Sequence, residues 1–214
     1  MIIRQYEPAD RQSIEEIQFN TYFLGKPMSK FVSNRKPFSA ELAHYFEEPE
    51  GIFVVEDKGR IVGYLIACLD DSKRNKKLFY LRFVLKNFTK SFFLPKRDRV
   101  YWRSRVAFLF NVLMGKSGEL KMKTPANAGH LHINLLPFSR GKGVGSKLLQ
   151  AFFRYAKKKG VKVVHADSFE TKLNPNKSFW IKNGFKSYSR IRTLFWVKQL
   201  PEEEIYYVCY VKTL

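Results

Sequence analysis

The chain has 214 residues and a formal net charge of +20 at pH 7, with 39 Lys and Arg against 19 Asp and Glu. This length suits one domain with a sizeable core, and no apolar run approaches the roughly 20 residues of a membrane-spanning helix. We expect a single domain over residues 1–214 in the cytoplasm, because the start of the chain lacks the apolar core of a signal peptide. The charge predicts an attraction to polyanions such as nucleic acid, anionic lipid or a phosphorylated cofactor.

The first third of the chain reads as a strand, two helices and a hairpin. Residues 1–6 form the strand, and a helix begins at Pro8. A second helix is expected near residues 39–47, and two β-rich runs over residues 51–67 flank a turn. Cys68 and Cys209 lie in apolar strand-like runs and are interpreted as buried thiols, so we expect no metal site.

Residues 71–125 form a basic, aromatic segment that we interpret as a helical insertion. Between Lys73 and Lys116 there are 13 Lys and Arg and one acid, Asp98. One interpretation is a helical hairpin packed on the domain with a solvated basic face. The other is a docking surface for an anionic partner, for which lipid or an acidic substrate is favoured over nucleic acid because no nucleic-acid-binding signature is present.

The central stretch over residues 129–159 predicts a strand, a glycine-rich turn and a helix. Residues 130–135 alternate, with polar side chains on one face and apolar ones on the other. A helix follows, with an apolar stripe formed by Val144, Leu148, Leu149, Phe152 and Phe153. Glycines allow a ligand to approach the backbone, and the amides of a first helical turn attract anions, so this turn predicts a phosphate site.

The spacing of the turn separates three kinds of phosphate-binding loop. A P-loop ends in Gly-Lys-Ser/Thr, whereas this turn ends Gly145-Ser146-Lys147. A dinucleotide fingerprint needs a third glycine, but Ser146 occupies that position. The pattern Arg140-x-x-Gly143-x-Gly145 resembles the pyrophosphate loop of the GNAT superfamily of acetyl-CoA-dependent N-acetyltransferases.

The last third of the chain strengthens this resemblance. After a strand over residues 161–169, the segment 174–185 is similar to the second GNAT signature, with Trp180 at the position where the family has a tyrosine. Strands over 185–197 and 204–211 complete the chain. The resemblance implies an α/β GNAT fold, namely a mixed sheet of about seven strands flanked by helices, with a helical insertion over residues 71–125.

The resemblance also implies a cosubstrate, acetyl-CoA, and assigns residues to it. Backbone groups on the central strand would pair with the pantetheine, the turn would hold the pyrophosphate, and an asparagine near the last helix would touch the CoA. The cofactor-binding residues implied are Ile133, Leu135, Leu136, Arg140, Gly141, Lys142, Gly143, Val144, Gly145, Ser146, Asn174 and Asn176. The reaction implied is acetyl transfer to a primary amine of unknown identity.

Candidate catalytic residues follow from which side chains face the gap between the two parallel strands. Histidine titrates near neutral pH, so His132 is the first choice of general base and Asp167 the second. The indole of Trp180 is too weak an acid to protonate the departing thiolate, and Tyr188 is a candidate substitute. A non-catalytic acyl-CoA-binding module and a membrane- or polyanion-binding protein are the alternatives. The resemblance is compatible with a monomer or a homodimer.

Overall fold

The computed structural model of the chain describes residues 1–70, 76–172 and 176–214. Within them lies one seven-stranded sheet in the order β1-β2-β3-β4-β5-β7-β6. The strands are β1 (Ile2–Gln5), β2 (Phe53–Asp57), β3 (Arg60–Cys68), β4 (Gly129–Leu135), β5 (Val163–Glu170), β6 (Lys186–Arg192) and β7 (Tyr206–Thr213). The β4–β5 pair is parallel and the other five pairs are antiparallel, which confirms the predicted mixed sheet.

The helices cover both faces of this sheet. They are α1 (Arg11–Thr21), α2 (Lys36–Ser39), α3 (Lys76–Ser91), α4 (Lys96–Leu113), α5 (Val144–Lys158) and α6 (Lys177–Lys182). Short 3₁₀ segments join them, the longest being Ala40–Glu47. Within the described residues, no helix combines the length and the apolar character needed to cross a membrane.

Helix α5 packs on one face of the sheet through the apolar stripe that its sequence predicts. All five predicted positions from Val144 to Phe153 are buried, together with Ala156, against inward-facing side chains of β3, β4, β5 and β7. The opposite face carries α1 and the Ala40–Glu47 segment, which pack on Tyr64, Ile66 and Cys68 of β3. Because strand side chains alternate, His132 and Asn134 of β4 project toward this α1 face, where α5 cannot contact them.

The insertion forms the two predicted helices, α3 and α4, which pack against each other. A cluster rich in aromatic residues joins α4 to the α1 face, with Tyr101 and Trp102 of α4 packed near Phe38 and Trp196. Trp196 is fully buried in this cluster. The sequence predicts a strand from residue 185 to 197, but β6 ends at Arg192 because the chain leaves the sheet to bury Trp196 beside α4. Cys68 and Cys209 are buried cysteines that form no disulfide, as predicted.

Candidate functional site

The centre of the sheet contains a fork between the two parallel strands. Strands β4 and β5 pair only at Gly129 with Val164 and at His130 with His165. Beyond these pairs β4 continues to Leu135, and β5 continues to Glu170 while pairing with β7 on its other side. The two strands therefore diverge toward their carboxyl ends, and the β4 edge that faces β5 is open from residue 131 onward.

The register of β4 decides which backbone groups face this opening. The Leu136 amide donates to the Val62 carbonyl at 2.9 Å, so even-numbered residues of β4 direct their backbone groups toward β3. The odd-numbered residues Ile133 and Leu135 direct theirs toward the fork. Arg140 Nε donates to the Leu135 carbonyl at 2.9 Å, so the amide of Leu135 is its group that still faces the fork.

The prediction for Leu136 is corrected by the same register. Its amide is bonded to Val62, and its carbonyl accepts hydrogen bonds from the Ser139 amide at 3.0 Å and from Ser139 Oγ at 2.8 Å. Both main-chain groups are therefore engaged within the protein. The residue ends the strand and anchors the 3₁₀ segment Pro137–Ser139.

The glycine turn presents a run of amides at the mouth of the fork. The Arg140 amide donates to Pro137, and the first bond at the start of α5 joins the Lys147 amide to the Gly143 carbonyl. Across the described residues, the six amides from Gly141 to Ser146 have no backbone acceptor. They lie at the positive end of the α5 dipole, so this turn is suited to hold an anion.

Two glycines give the turn its shape and leave space beside it. Gly141 and Gly143 both have φ of +74°, a conformation that disfavours other residues. A Cβ added at either position would meet no atom within 4 Å, so the outer side of the turn is open to a ligand. Gly145 differs, because a Cβ there would lie 3.0 Å from the Phe179 ring. That glycine is required by the packing of α5 on α6. Lys142, between the two glycines of positive φ, is exposed to solvent.

Arg140 holds the turn in place through its side chain. Besides the bond to Leu135, its Nη2 donates to the Gly25 carbonyl at 2.9 Å, which ties the turn to the loop that follows α1. Gly25 has φ of +83°, and a Cβ there would lie 2.8 Å from Arg140 Nη1. The arginine therefore acts on the loop's conformation through two carbonyls, a role that the sequence analysis did not assign.

Of the residues near α6 to which the resemblance assigns a role, the structure links Asn176 to the fork and places Trp180 away from it. Asn176 Nδ2 donates to Ser168 Oγ of β5 at 3.3 Å, which links the start of α6 to the fork. Asn174 lies outside the described residues. The Trp180 side chain is buried in the core under α5, with its ring stacked on Tyr210 at 5.8 Å between centroids. It therefore faces away from the α1 side of the fork.

His132 belongs to a buried polar network on the α1 face. Gln18 Oε1 is contacted by three groups: Tyr64 Oη at 2.6 Å, Asn134 Nδ2 at 3.0 Å and His132 Nε2 at 3.1 Å. The Gln18 oxygen only accepts, so its contact with His132 is a bond when Nε2 carries the ring proton. The same Nε2 lies 3.1 Å from Asn134 Nδ2, which is a bond when Nε2 is unprotonated. Burial raises the pKa of Tyr64, which keeps this phenol a neutral donor.

Asp167 lies on the other arm of the fork, in a second cluster. Its Oδ2 is 3.7 Å from His130 Nε2, and its Oδ1 is 3.7 Å from His165 Nδ1. His130 Nδ1 is in turn 2.5 Å from the Tyr45 hydroxyl. Burial, and then the neighbouring Asp167, raise the pKa of Tyr207, so this phenol stays neutral and donates to the carboxylate. The last residues that pair β4 with β5 are His130 and His165. His132 lies two residues beyond the first of these, and Asp167 two residues beyond the second.

The three side chains of this second cluster could together offer ligands to a metal ion. The potential ligand atoms of His130, His165 and Asp167 lie within 4.8 Å of one another. In the described part of the chain, no other group of three or more His, Cys, Asp or Glu side chains comes together in this way. The nitrogen–oxygen distances of 3.7 Å between the histidines and Asp167 are longer than about 3.3 Å, the distance between two ligand atoms of a tetrahedral zinc site with bonds near 2.0 Å.

The prediction for Tyr188 is corrected by the strand order. Strand β7 lies between β5 and β6, so Tyr188 on β6 is two strands away from the fork. It falls at a register shift between Ser187 and Ser189, and 54% of it is exposed to solvent. The tyrosine that reaches the fork is Tyr207, which the sequence analysis missed together with Gln18 and Tyr45. The sequence could have indicated this, because Tyr207 and Cys209 are two residues apart in β7 and therefore lie on the same face of the strand.

The comparisons with known proteins agree with this geometry. Residues 98–185 match the sequence model of the Acetyltransferase (GNAT) family. A search of curated proteins gives no match.

Similar solved structures cover nearly the whole chain. One is the protein called SsHAT, with a TM-score of 0.60 and 23% identity over 99% of this chain and 97% of the other. Another is a polyamine N-acetyltransferase of Drosophila melanogaster that forms N-acetylagmatine, with a TM-score of 0.57 and 15% identity over 100% and 99% of the two chains.

A third similar structure is a candidate acetyltransferase from Salmonella typhimurium, solved with its cofactor acetyl-CoA. It has a TM-score of 0.57 and 16% identity over 100% of this chain and 94% of the other. These TM-scores show a shared fold, and the family match covers β4, the glycine turn, α5 and β5. The chain therefore has the fold of these solved structures, and its residues 98–185 are similar to the Acetyltransferase (GNAT) family.

Proposed function

We propose that this protein uses acetyl-CoA to acetylate a primary amine. The observation that carries the proposal is the fork itself, where two parallel strands separate after His130 and His165 beside a turn whose six amides have no backbone acceptor in the described chain. An extended thioester has a strand edge to pair with at this place, and its diphosphate has a set of donors at the mouth.

The residues of the fork fit acetyl-CoA in three respects. The diphosphate would accept hydrogen bonds from amides between Gly141 and Ser146, where the glycines leave the outer side open. The pantetheine would pair with the exposed edge at Ile133 and Leu135, as a peptide pairs with an open sheet edge. The amide of Leu135 would then lie nearest the thioester carbonyl, where a donor stabilises the developing oxyanion.

The proposed reaction joins the amine nitrogen to the thioester carbonyl carbon and breaks the carbon–sulfur bond. The attacking amine must lose a proton, which the imidazole of His132 would take while Gln18 and Asn134 contact its Nε2. Asp167, held by Tyr207, would accept the proton through water in the alternative arrangement. The departing sulfur would leave as thiolate and take its proton from solvent, because a thiol of ordinary pKa near 8.5 is a tolerable leaving group.

The test is release of free CoA thiol in the presence of candidate amines. The first acceptors to screen are polyamines and agmatine, since the fly enzyme that shares this fold forms N-acetylagmatine. Thiol release that depends on an amine, and falls at least tenfold in His132→Gln, would support the proposal. His44→Gln is the matched control, because His44 lies on the 3₁₀ segment Ala40–Glu47 and not on either strand of the fork.

The alternative is a protein that binds acyl-CoA without turning it over. The place of Trp180 favours it, because the tyrosine that the family uses as an acid is replaced by a buried indole. Tight binding of acetyl-CoA with no thiol release across the whole amine panel would establish this alternative. Absence of acetyl-CoA binding would overturn both.

A further inference from the structure

The helical hairpin of α3 and α4 carries an unusual share of the exposed apolar surface. Thirteen large hydrophobic residues of the described chain are exposed, and eight of them lie between residues 81 and 114. These eight are Leu81, Leu85, Phe92, Phe93, Val100, Phe110, Leu113 and Met114. A concentration of this kind on one element marks an interaction surface, because isolated exposed apolar residues are normally scattered.

The most exposed of these residues lie at the tip of the hairpin. Phe92 and Phe93 follow the end of α3, and they are 61% and 94% exposed. Leu85 and Val100 flank them, one on each helix, at 47% and 59%. We call residues 85–103 the hairpin tip. Two adjacent exposed phenylalanines favour a partner that covers them.

Basic side chains surround this apolar tip. Lys86, Lys96, Arg97, Arg99 and Arg103 are all exposed. Asp98 is the one acid between residues 76 and 116, and it is 1% exposed. It accepts hydrogen bonds from the amide and hydroxyl of Ser33 on the body of the domain. The negative charge is thus turned inward, and the solvent-facing charge of the tip is entirely positive.

We propose that the hairpin tip docks the protein on an anionic lipid bilayer. Phe92 and Phe93 would insert below the headgroups, while the five basic side chains contact lipid phosphates. Leu85 and Val100 favour lipid over nucleic acid, because aliphatic side chains cannot stack on bases but do enter an acyl environment. This surface goes beyond acetyl transfer and does not depend on it.

The test measures binding of the full chain to vesicles. We expect sedimentation with vesicles of equal phosphatidylcholine and phosphatidylglycerol, little with pure phosphatidylcholine, and release at high salt. Phe92→Ser with Phe93→Ser should weaken binding at least tenfold, whereas Ile2→Ser, which removes a residue 68% exposed on β1, should change it less than twofold. Equal loss in both variants would overturn the proposal.

Two triple variants that each lose three positive charges distinguish the contribution of the tip from that of the net charge of the chain. Lys86→Gln, Lys96→Gln and Arg99→Gln together remove three exposed positive charges from the tip. Gln substitutions at Lys157, Lys158 and Lys159 remove three exposed charges from the end of α5. Only the first set should weaken binding by tenfold or more. If the two sets act alike, non-specific charge explains the binding and the proposal fails.

Fluorescence reports insertion directly. The three native tryptophans are at most 5% exposed, so a Phe93→Trp variant adds the one solvent-exposed indole within the described chain. Its emission should shift to the blue with anionic vesicles and stay unchanged with single-stranded RNA at the same ionic strength. An unchanged spectrum with vesicles would contradict insertion, and tighter binding to RNA through the same tip residues would assign the surface to nucleic acid instead.

Discussion

Gly143 allows the anion site to be tested with a change of a single charge. Its φ of +74° is tolerated by asparagine and aspartate better than by other side chains, and a Cβ there meets no atom within 4 Å. We therefore expect Gly143→Asn and Gly143→Asp each to cost about 1 kcal/mol of folding stability, from the backbone alone. The two variants then share one shape and differ by a carboxylate at the start of α5.

The expected effect of that carboxylate on acetyl-CoA is large. At about 5 Å from a diphosphate oxygen, one unit of negative charge repels another by about 0.8 kcal/mol in water and about 3 kcal/mol at an effective dielectric constant of 20. Gly143→Asp should therefore bind acetyl-CoA about 4- to 150-fold more weakly than Gly143→Asn. Titration calorimetry at low and high salt checks this, and the ratio should shrink as salt screens the charge.

Gly160 provides the matched control for this comparison. It has φ of +79° with no atom within 4 Å of an added Cβ, and it follows α5 at the opposite end, about 22 Å along the helix axis from the turn. Its Asn and Asp variants should bind acetyl-CoA alike to within about twofold, because a charge at this distance is screened. Equal affinities for the two Gly143 variants, or the same ratio at both glycines, would refute a diphosphate at the turn.

Further predictions concern the base, the core, the metal and stability. His132→Gln should lower turnover about 100-fold while the Kd for acetyl-CoA changes less than threefold; a larger change in Kd would assign the residue to binding. Trp180→Tyr should destabilise the fold by about 2 kcal/mol without raising turnover, since this side chain fills the core beneath α5, and a gain in thiol release would contradict that placement. A chelator should leave turnover unchanged, because the proposed steps use side chains and backbone amides; loss restored by zinc would assign a metal to the Asp167 cluster. Asp10→Asn should cost about 2 kcal/mol at pH 7, because the Arg4 hydrogen bonds, followed by the Glu7 amide, lower the pKa of this buried carboxyl. That contribution is present above the unfolded pKa of about 3.9 and is lost as pH falls through the folded value, so denaturation curves of the two proteins should converge in acid.

The strands and helices around the glycine turn could be predicted from local patterns, whereas the seven-stranded sheet and the cofactor-binding residues were implied by the family resemblance. Alternation fixes which side chains of β4 share a face, and the 3.6-residue period fixes the buried stripe of α5. Glycine adopts the positive φ values found at Gly141 and Gly143 more readily than other residues do. The turn could therefore be predicted from the spacing of its glycines. These features require no knowledge of what lies beside them.

The errors arise where a residue's role depends on a neighbour that is distant in sequence. The backbone direction at Leu136 is set by the register between β3 and β4, and a shift of one residue would reverse it. The position of Tyr188 depends on β7 inserting between β5 and β6, although β6 comes first in the chain. Gln18 contacts His132 across 114 positions of sequence. Neither periodicity nor spacing carries that information.

The insertion illustrates the same limit in its charges. Its sequence predicts a basic amphipathic hairpin, yet two charged residues of α4 hold it to the domain. Arg105 is 2% exposed, lies 4.4 Å over the Phe195 ring and donates to Gln199 at 3.2 Å, while Asp98 binds Ser33. Because Tyr101 and Trp102 of α4 belong to the aromatic cluster, deleting the hairpin would open that cluster as well as remove the surface. Point substitutions at its exposed tip therefore test docking, whereas a deletion would test folding.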